Sequence, residues 1–73
     1  METRKRTIVE VVAQIQERKA QFNIHPAFAT FAQIKAEVGM IADCELYRHL
    51  NMAVDAGYLL HRRVMAGDAY EVA

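Results

Sequence analysis

Near the start of the chain, apolar residues recur at the spacing of a helix. We predict a helix from about Thr3 to Gln21, because four apolar side chains fall on one side of it and polar side chains take the other. Phe22 is expected to close this apolar stripe. Pro26 then excludes a continuing helix, since it has no backbone N–H and disfavours helical geometry at the preceding residue. The stripe consists of Ile8, Val11, Val12 and Ile15.

Two further helices are predicted from capping signals together with apolar spacing. Thr30 and Gln33 have the spacing of a capping box, in which each side chain bonds the backbone of the other residue. That second helix is expected to stop at Gly39. A third helix is predicted from Asp43, as its cap, to Gly57, as its stop. The expected core positions are Phe31, Ile34 and Val38 on the second helix, and Leu46, Leu50 and Ala53 on the third.

The remaining segments have the pattern of strands. Residues 58–65 and 69–73 are predicted to form two strands joined by a turn at 66–68. Residues 27–29 are short and extended, and they can add an edge strand to that hairpin. The predicted fold class is therefore α+β, with three helices, a small antiparallel hairpin and the order α-β-α-α-β-β.

Strand alternation also predicts where the basic side chains of the hairpin point. His61 and Arg63 share one face and Arg62 takes the other, because successive side chains of a strand alternate. Tyr58 and Leu60 are expected to face the core, which places Arg62 on their side of the strand.

The composition limits the classes of protein. A chain of 73 residues with 53% hydrophobic residues predicts one folded domain, over residues 1–73. No apolar run approaches the ~20 residues of a membrane span. The single cysteine, Cys44, excludes an intramolecular disulfide and a cysteine-rich zinc site, which favours a reducing, cytoplasmic setting.

Nothing in the chain predicts catalysis. The three histidines are scattered among loop, helix and strand without metal-ligand spacing, and the three glycines are isolated, so no phosphate-binding loop is expected. We predict a non-enzyme with no cofactor, no metal and no small-molecule substrate. The nine Lys and Arg balance nine Asp and Glu, with cations gathered at the amino terminus and the hairpin, so phosphate contacts alone predict modest affinity.

With these elements in order, the chain resembles the winged helix-turn-helix family of bacterial DNA-binding domains. The matching segments are residues 30–39, the run Leu46-Tyr47-Arg48-His49-Leu50, the junction Ala56-Gly57-Tyr58-Leu59, and the hairpin that follows. The length and layout are similar to those of small stand-alone regulators from plasmids, prophages and fimbrial operons. The resemblance implies a transcriptional regulator that binds double-stranded DNA, with the third helix in the major groove and the hairpin, or wing, against phosphates.

The candidate DNA contacts follow from side-chain chemistry. Arg48 suits guanine and Asn51 suits adenine, Glu45 can accept from cytosine, and Tyr47 can touch a phosphate or a thymine methyl. An ordinary solvated helix face is the alternative. For the hairpin cations, the alternative to phosphate contact is that their charge protects an edge strand from pairing with another chain. For the amino-terminal cations, the alternatives are a basic arm that contacts DNA and a frayed end that only aids solubility. The candidate phosphate contacts are His61, Arg62, Arg63, Arg4, Lys5 and Arg6.

A second hypothesis is a winged-helix module that binds a protein, such as another regulator in a prophage or plasmid. Asp43 and Glu45 at the start of the third helix repel phosphate, and the zero net charge of the chain also favours a protein partner over DNA. Met52 and Val54 are apolar where exposed charges would be expected, so they are candidate protein contacts, either with a partner or with a second copy of the chain.

Overall fold

The computed structural model describes residues 7–24 and 27–73. It is a small α+β domain, which confirms the predicted fold class at that level, and its elements follow the predicted order. None of the helices in these ranges is both long and apolar enough to cross a membrane. The elements are α1 (Ile8–Gln21), β1 (Ala29–Thr30), α2 (Phe31–Val38), α3 (Asp43–Asp55), β2 (Leu59–Val64) and β3 (Gly67–Val72).

Helix α1 begins later than predicted and ends where predicted. Thr7 has an extended backbone, and its hydroxyl accepts a hydrogen bond from the Glu10 N–H at 3.2 Å, so Thr7 is the cap and the predicted start near residue 3 is wrong. At the other end the Ile24 N–H donates to the Lys19 carbonyl at 2.9 Å, around Asn23 with φ 59°. This closing turn is a Schellman motif.

The expectation that Phe22 closes the apolar stripe is also wrong. Its side chain is 76% exposed and borders an open groove between α1 and α2, which Ile24 and Ala36 also line. Phe22 is the C-cap residue of α1, with φ −96° and ψ 14°, so its backbone no longer continues the helical spacing of the stripe.

The starts of α2 and α3 differ in how they are capped. The capping box of α2 is confirmed, because the Thr30 hydroxyl accepts from the Gln33 N–H at 3.3 Å and the Gln33 amide oxygen accepts from the Thr30 N–H at 3.1 Å. The predicted cap of α3 is wrong. Ala42 occupies the cap position without a side-chain bond, and Asp43 lies inside the first turn, paired with Lys35. There its negative charge still interacts favourably with the positive end of the helix dipole.

Helix α3 ends in a glycine turn that decides which hairpin residues enter the core. Gly57 has φ 85°, and the Tyr58 N–H donates to the Ala53 carbonyl at 2.9 Å. After this turn Leu59 is buried at 1% exposure, whereas Tyr58 and Leu60 are 63% and 48% exposed. The predicted core positions Tyr58 and Leu60 are therefore wrong, because the turn shifts the phase of the strand by one residue.

The three strands form one antiparallel sheet in the order β1-β3-β2. A third strand beside the hairpin is confirmed, with Ala29 opposite Tyr70, although it covers Ala29–Thr30 rather than the predicted residues 27–29. One side chain ties helix α1 to the segment before β1 and to the end of β3: the Gln16 amide donates to the Ala27 carbonyl at 2.8 Å and accepts from the Val72 N–H at 2.7 Å. The sheet therefore packs directly against α1.

The core lies between the three helices and one face of the sheet. Two predicted core positions on α2 are less buried than expected: Phe31 packs partly against the core and Val38 is 37% exposed, so only Ile34 is fully enclosed. Val38 is the last residue of α2, and Phe31, the first, stacks on the Tyr47 ring at the margin of the core. The buried cluster comprises Val11, Val12, Ile15, Ala29, Ile34, Leu46, Leu50, Ala53, Leu59 and Tyr70.

Candidate functional site

The outward face of α3 is open to solvent along its length. Arg48 and Asn51 lie one turn apart on this face and are exposed, as are Cys44 and Asp55. On the opposite face Leu46, Leu50 and Ala53 are buried, as predicted from their spacing. The structure therefore brings the predicted base-reading residues Arg48 and Asn51 together on one accessible surface.

Glu45 neutralises part of this face. The Arg48 guanidinium donates to the Glu45 carboxylate at 3.1 Å, and His49 lies 4.0 Å from the same carboxylate. Both side chains of the Arg48–Glu45 pair are at least half exposed, and exposed pairs of this kind are worth at most about 1 kcal/mol. Arg48 can therefore exchange Glu45 for another partner at low cost.

Tyr47 does not lie on the open face with Arg48 and Asn51. Its ring stacks on Phe31 of α2, and its hydroxyl donates to the Asp68 carboxylate of β3 at 3.0 Å. Burial and then the bond to Asp68 raise the pKa of the Tyr47 phenol. The structure thus places this candidate base contact on the flank of α3 that faces the hairpin, with its polar atom engaged.

The three hairpin cations have different surroundings. His61 bonds Asp68 at 2.8 Å on the face shared with Leu59, while Arg62 forms an ion pair with Glu71 on the other face. The predicted alternation is confirmed, but the expectation that Arg62 shares the core side is wrong, because Leu59 rather than Leu60 enters the core. The side facing the core therefore carries His61 and, beyond it, Arg63.

Arg63 is exposed and lies opposite Asp68 in the strand register. Within the ranges described above, it forms no ion pair with a carboxylate. It shares this face of the hairpin with His61 and with Asp68, the residue that bonds Tyr47 of α3. Arg63 is thus a hairpin cation whose charge is available and directed toward the α3 side.

Asp68 is the functional candidate that the sequence reasoning missed. One carboxylate oxygen accepts from Tyr47 and the other bonds His61, and these two bonds, in the order His61 then Tyr47, hold the pKa of Asp68 below its usual value. The prediction that Asp68 lies in the turn at 66–68 is wrong, because β3 already begins at Gly67 and Asp68 pairs with Arg63 of β2. The contact with α3 has no local signal, because Tyr47 and Asp68 are 21 positions apart.

The two predicted protein contacts do not form one surface. Met52 is 61% exposed, whereas Val54 is partly buried and packs against the core. Two positions along a helix lie on nearly opposite sides, which explains the difference. Met52 instead borders an open groove of about 530 Å³ that Val9, His49 and Tyr58 also line.

Arg4, Lys5 and Arg6 lie outside the described residues. Over residues 7–24 and 27–73, no group of three or more His, Cys, Asp or Glu side chains is arranged to hold a metal ion.

Several exposed cations are paired with acids, so the surface is a mixture of charges. These pairs are Arg18 with Glu37, Lys35 with Asp43, Arg48 with Glu45 and Arg62 with Glu71.

Comparisons of the chain with protein-family models, with curated proteins and with solved structures find no match.

Proposed function

We propose that this chain is a winged helix-turn-helix domain that acts as a small, non-enzymatic, cytoplasmic regulator of transcription. Helix α3 enters the major groove of double-stranded DNA, and the hairpin formed by β2 and β3 contacts adjacent phosphates. The observation that carries the proposal is the open face of α3, with Arg48 and Asn51 exposed, next to a hairpin that exposes Arg62 and Arg63.

The chemistry of the helix face suits base recognition. Arg48 offers two parallel donors to the acceptors of guanine, and Asn51 matches the donor and acceptor of adenine. They are three positions apart on one face of α3, so they project in the same direction. Glu45 holds the guanidinium of Arg48 in the free protein at 3.1 Å and can itself accept from a cytosine amino group when DNA replaces it.

The hairpin supplies phosphate contacts of unequal strength. Arg63 has no carboxylate partner within ion-pair distance among the described residues, whereas Arg62 is neutralised by Glu71. His61 is held by Asp68 at 2.8 Å. Counterion release scales with the charge that reaches the phosphates, so Arg63 is the principal phosphate contact and Arg62 a secondary one.

A second candidate is a winged-helix module that binds a protein instead of DNA. It is favoured by the pairing of Arg48, Arg62 and Lys35 with acids, which lowers attraction to phosphates. The exposed Met52 beside the groove with Tyr58 would be the contact, either with another regulator or with a second copy of the chain.

Fluorescence anisotropy with labelled duplex DNA tests the proposal. Duplexes selected from a random pool by the purified protein should bind, and affinity should fall steeply as salt rises. Replacing Arg48 by Ala should weaken the selected duplex by about 1–3 kcal/mol with little loss of stability. Arg18→Ala is the matched control, because Arg18 is also exposed and paired, with Glu37, but lies on α1.

The outcomes separate the two candidates. The absence of salt-dependent binding even at low salt would exclude DNA as the partner and leave the protein-binding module. Equal losses from Arg48→Ala and Arg18→Ala would remove Arg48 from base recognition.

A further inference from the structure

The hairpin is joined to α3 by one side-chain hydrogen bond in the described part of the chain. The Tyr47 hydroxyl donates to the Asp68 Oδ2 atom at 3.0 Å. Asp68 is the second residue of β3, directly after the turn at Met65 and Ala66. This bond therefore ties the hairpin to α3 close to the hairpin tip.

Both ends of this bond are held by further contacts. The Tyr47 ring is stacked on Phe31 at 4.0 Å between centroids, so the direction of its hydroxyl is set by α2. The other Asp68 oxygen bonds the His61 ring at 2.8 Å, and that ring lies 5.1 Å from the buried Tyr70. A continuous series of contacts thus runs from α2 through α3 to both strands of the hairpin.

We infer that Asp68 is a positioning residue that fixes the hairpin against α3 and so sets the place of Arg63 relative to the Arg48 and Asn51 face. Arg63 lies opposite Asp68 in the register, so any movement of Asp68 away from Tyr47 carries Arg63 with it. The consequence for DNA binding rests on the proposed function, but the position of the hairpin is a property of the free protein.

The chain offers two sites for distance measurement in the free protein. Cys44 is the single cysteine and is exposed on α3, and Met65 is fully exposed in the hairpin turn. In the full chain carrying Met65→Cys, nitroxide labels on residues 44 and 65 report the distance from α3 to the hairpin tip by pulsed electron resonance. The parent protein should show one narrow distance distribution.

Two variants remove the link in different ways. Tyr47→Phe deletes only the hydroxyl and keeps the ring on Phe31, while Asp68→Ala deletes the carboxylate. Both should broaden the distribution with retained helix content by circular dichroism. Glu71→Gln is the control, since Glu71 also lies on β3 and holds an ion pair, with Arg62, but on the face away from the core. It should leave the distribution narrow.

An unchanged distribution in Tyr47→Phe and Asp68→Ala would overturn the inference, and so would equal broadening in Glu71→Gln. Asp68→Asn, which keeps an acceptor oxygen for Tyr47, should restore part of the narrow distribution. Anisotropy addresses the proposed function separately, on the parent protein: if the distribution broadens in the variants but the parent protein itself binds no DNA, the positioning role is supported and the DNA-binding proposal is rejected.

Discussion

The ring of Tyr47 lies flat against the ring of Phe31, with centroids 4.0 Å apart and planes inclined by 10°. This contact joins the first turn of α2 to α3. Both side chains are only partly buried, so the stack covers the margin of the core rather than its centre. The same tyrosine that supports the packing of the two helices also reaches the hairpin through its hydroxyl.

Removing this stack should destabilise the domain. We expect Phe31→Ala to lower the free energy of unfolding by about 1–3 kcal/mol, less than for a fully buried Phe, because part of the ring is already in water. Phe22→Ala is the matched control; Phe22 is 76% exposed, so the change should stay within about 0.5 kcal/mol. Urea denaturation followed by circular dichroism measures both, and similar losses would contradict the packing role of the stack.

Alkaline stability should depend on Tyr70. Burial, with a smaller contribution from the charge of Asp68, raises the pKa of Tyr70 to about 12. A tyrosine in the unfolded chain ionises near pH ~10, so the stabilisation is complete below that pH and is lost as pH rises through the folded pKa. The free energy of unfolding should therefore fall between about pH 10 and 12.

Tyr70→Phe should reduce this alkaline decline and remove the last phase of the tyrosinate absorbance titration. Tyr58→Phe, at a position that is 63% exposed, should leave both in place. A decline of the same steepness in Tyr70→Phe as in the parent protein would show that other groups control alkaline unfolding.

The turn after α3 requires glycine for its backbone rather than for space. Gly57 has φ 85°, and a Cβ atom there would meet nothing within 4 Å. Gly57→Ala should therefore cost only the strain of the left-handed conformation, about 1–2 kcal/mol. Gly57→Asn should cost less, since asparagine tolerates that region. Thermal unfolding measures the difference, and a fully stable Gly57→Ala would mean that the turn can adopt another geometry.

The two arginines of the hairpin should differ in DNA binding. Arg63→Ala should lower affinity and reduce the slope of log K against log salt by about 0.9, the value for one phosphate contact. Arg62→Ala should have a smaller effect, because Glu71 already neutralises Arg62. Anisotropy over a range of salt concentrations measures both slopes. A larger effect from Arg62→Ala would reverse the assignment of the phosphate contacts.

Local signals were sufficient for the order of the elements. The apolar spacing of α1, the capping box at Thr30 and Gln33, and the glycine stop of α3 all act within a few residues of each other, so the sequence predicts them directly. The exposure of Arg48 and Asn51 also followed from the spacing of Leu46 and Leu50, since a helix with one buried face must expose the other.

Other features were decided by packing rather than by local sequence signals. Asp43 looked like a cap but bonds Lys35, and Tyr58 and Leu60 looked like core residues but flank the buried Leu59. The geometry of the turn at Gly57 decides which side chains of β2 face the core. A single-residue shift moves every side chain of a strand to the other face.

By itself, then, the sequence determined three helices, a hairpin and one polar helix face, because periodicity and capping are short-range properties of the chain. Only the tertiary structure decided which of the two hairpin arginines lacks a carboxylate partner among the described residues, and that Asp68 joins the hairpin to Tyr47. These depend on contacts between distant segments, and the free energy of such contacts exists only once the core has brought the segments together.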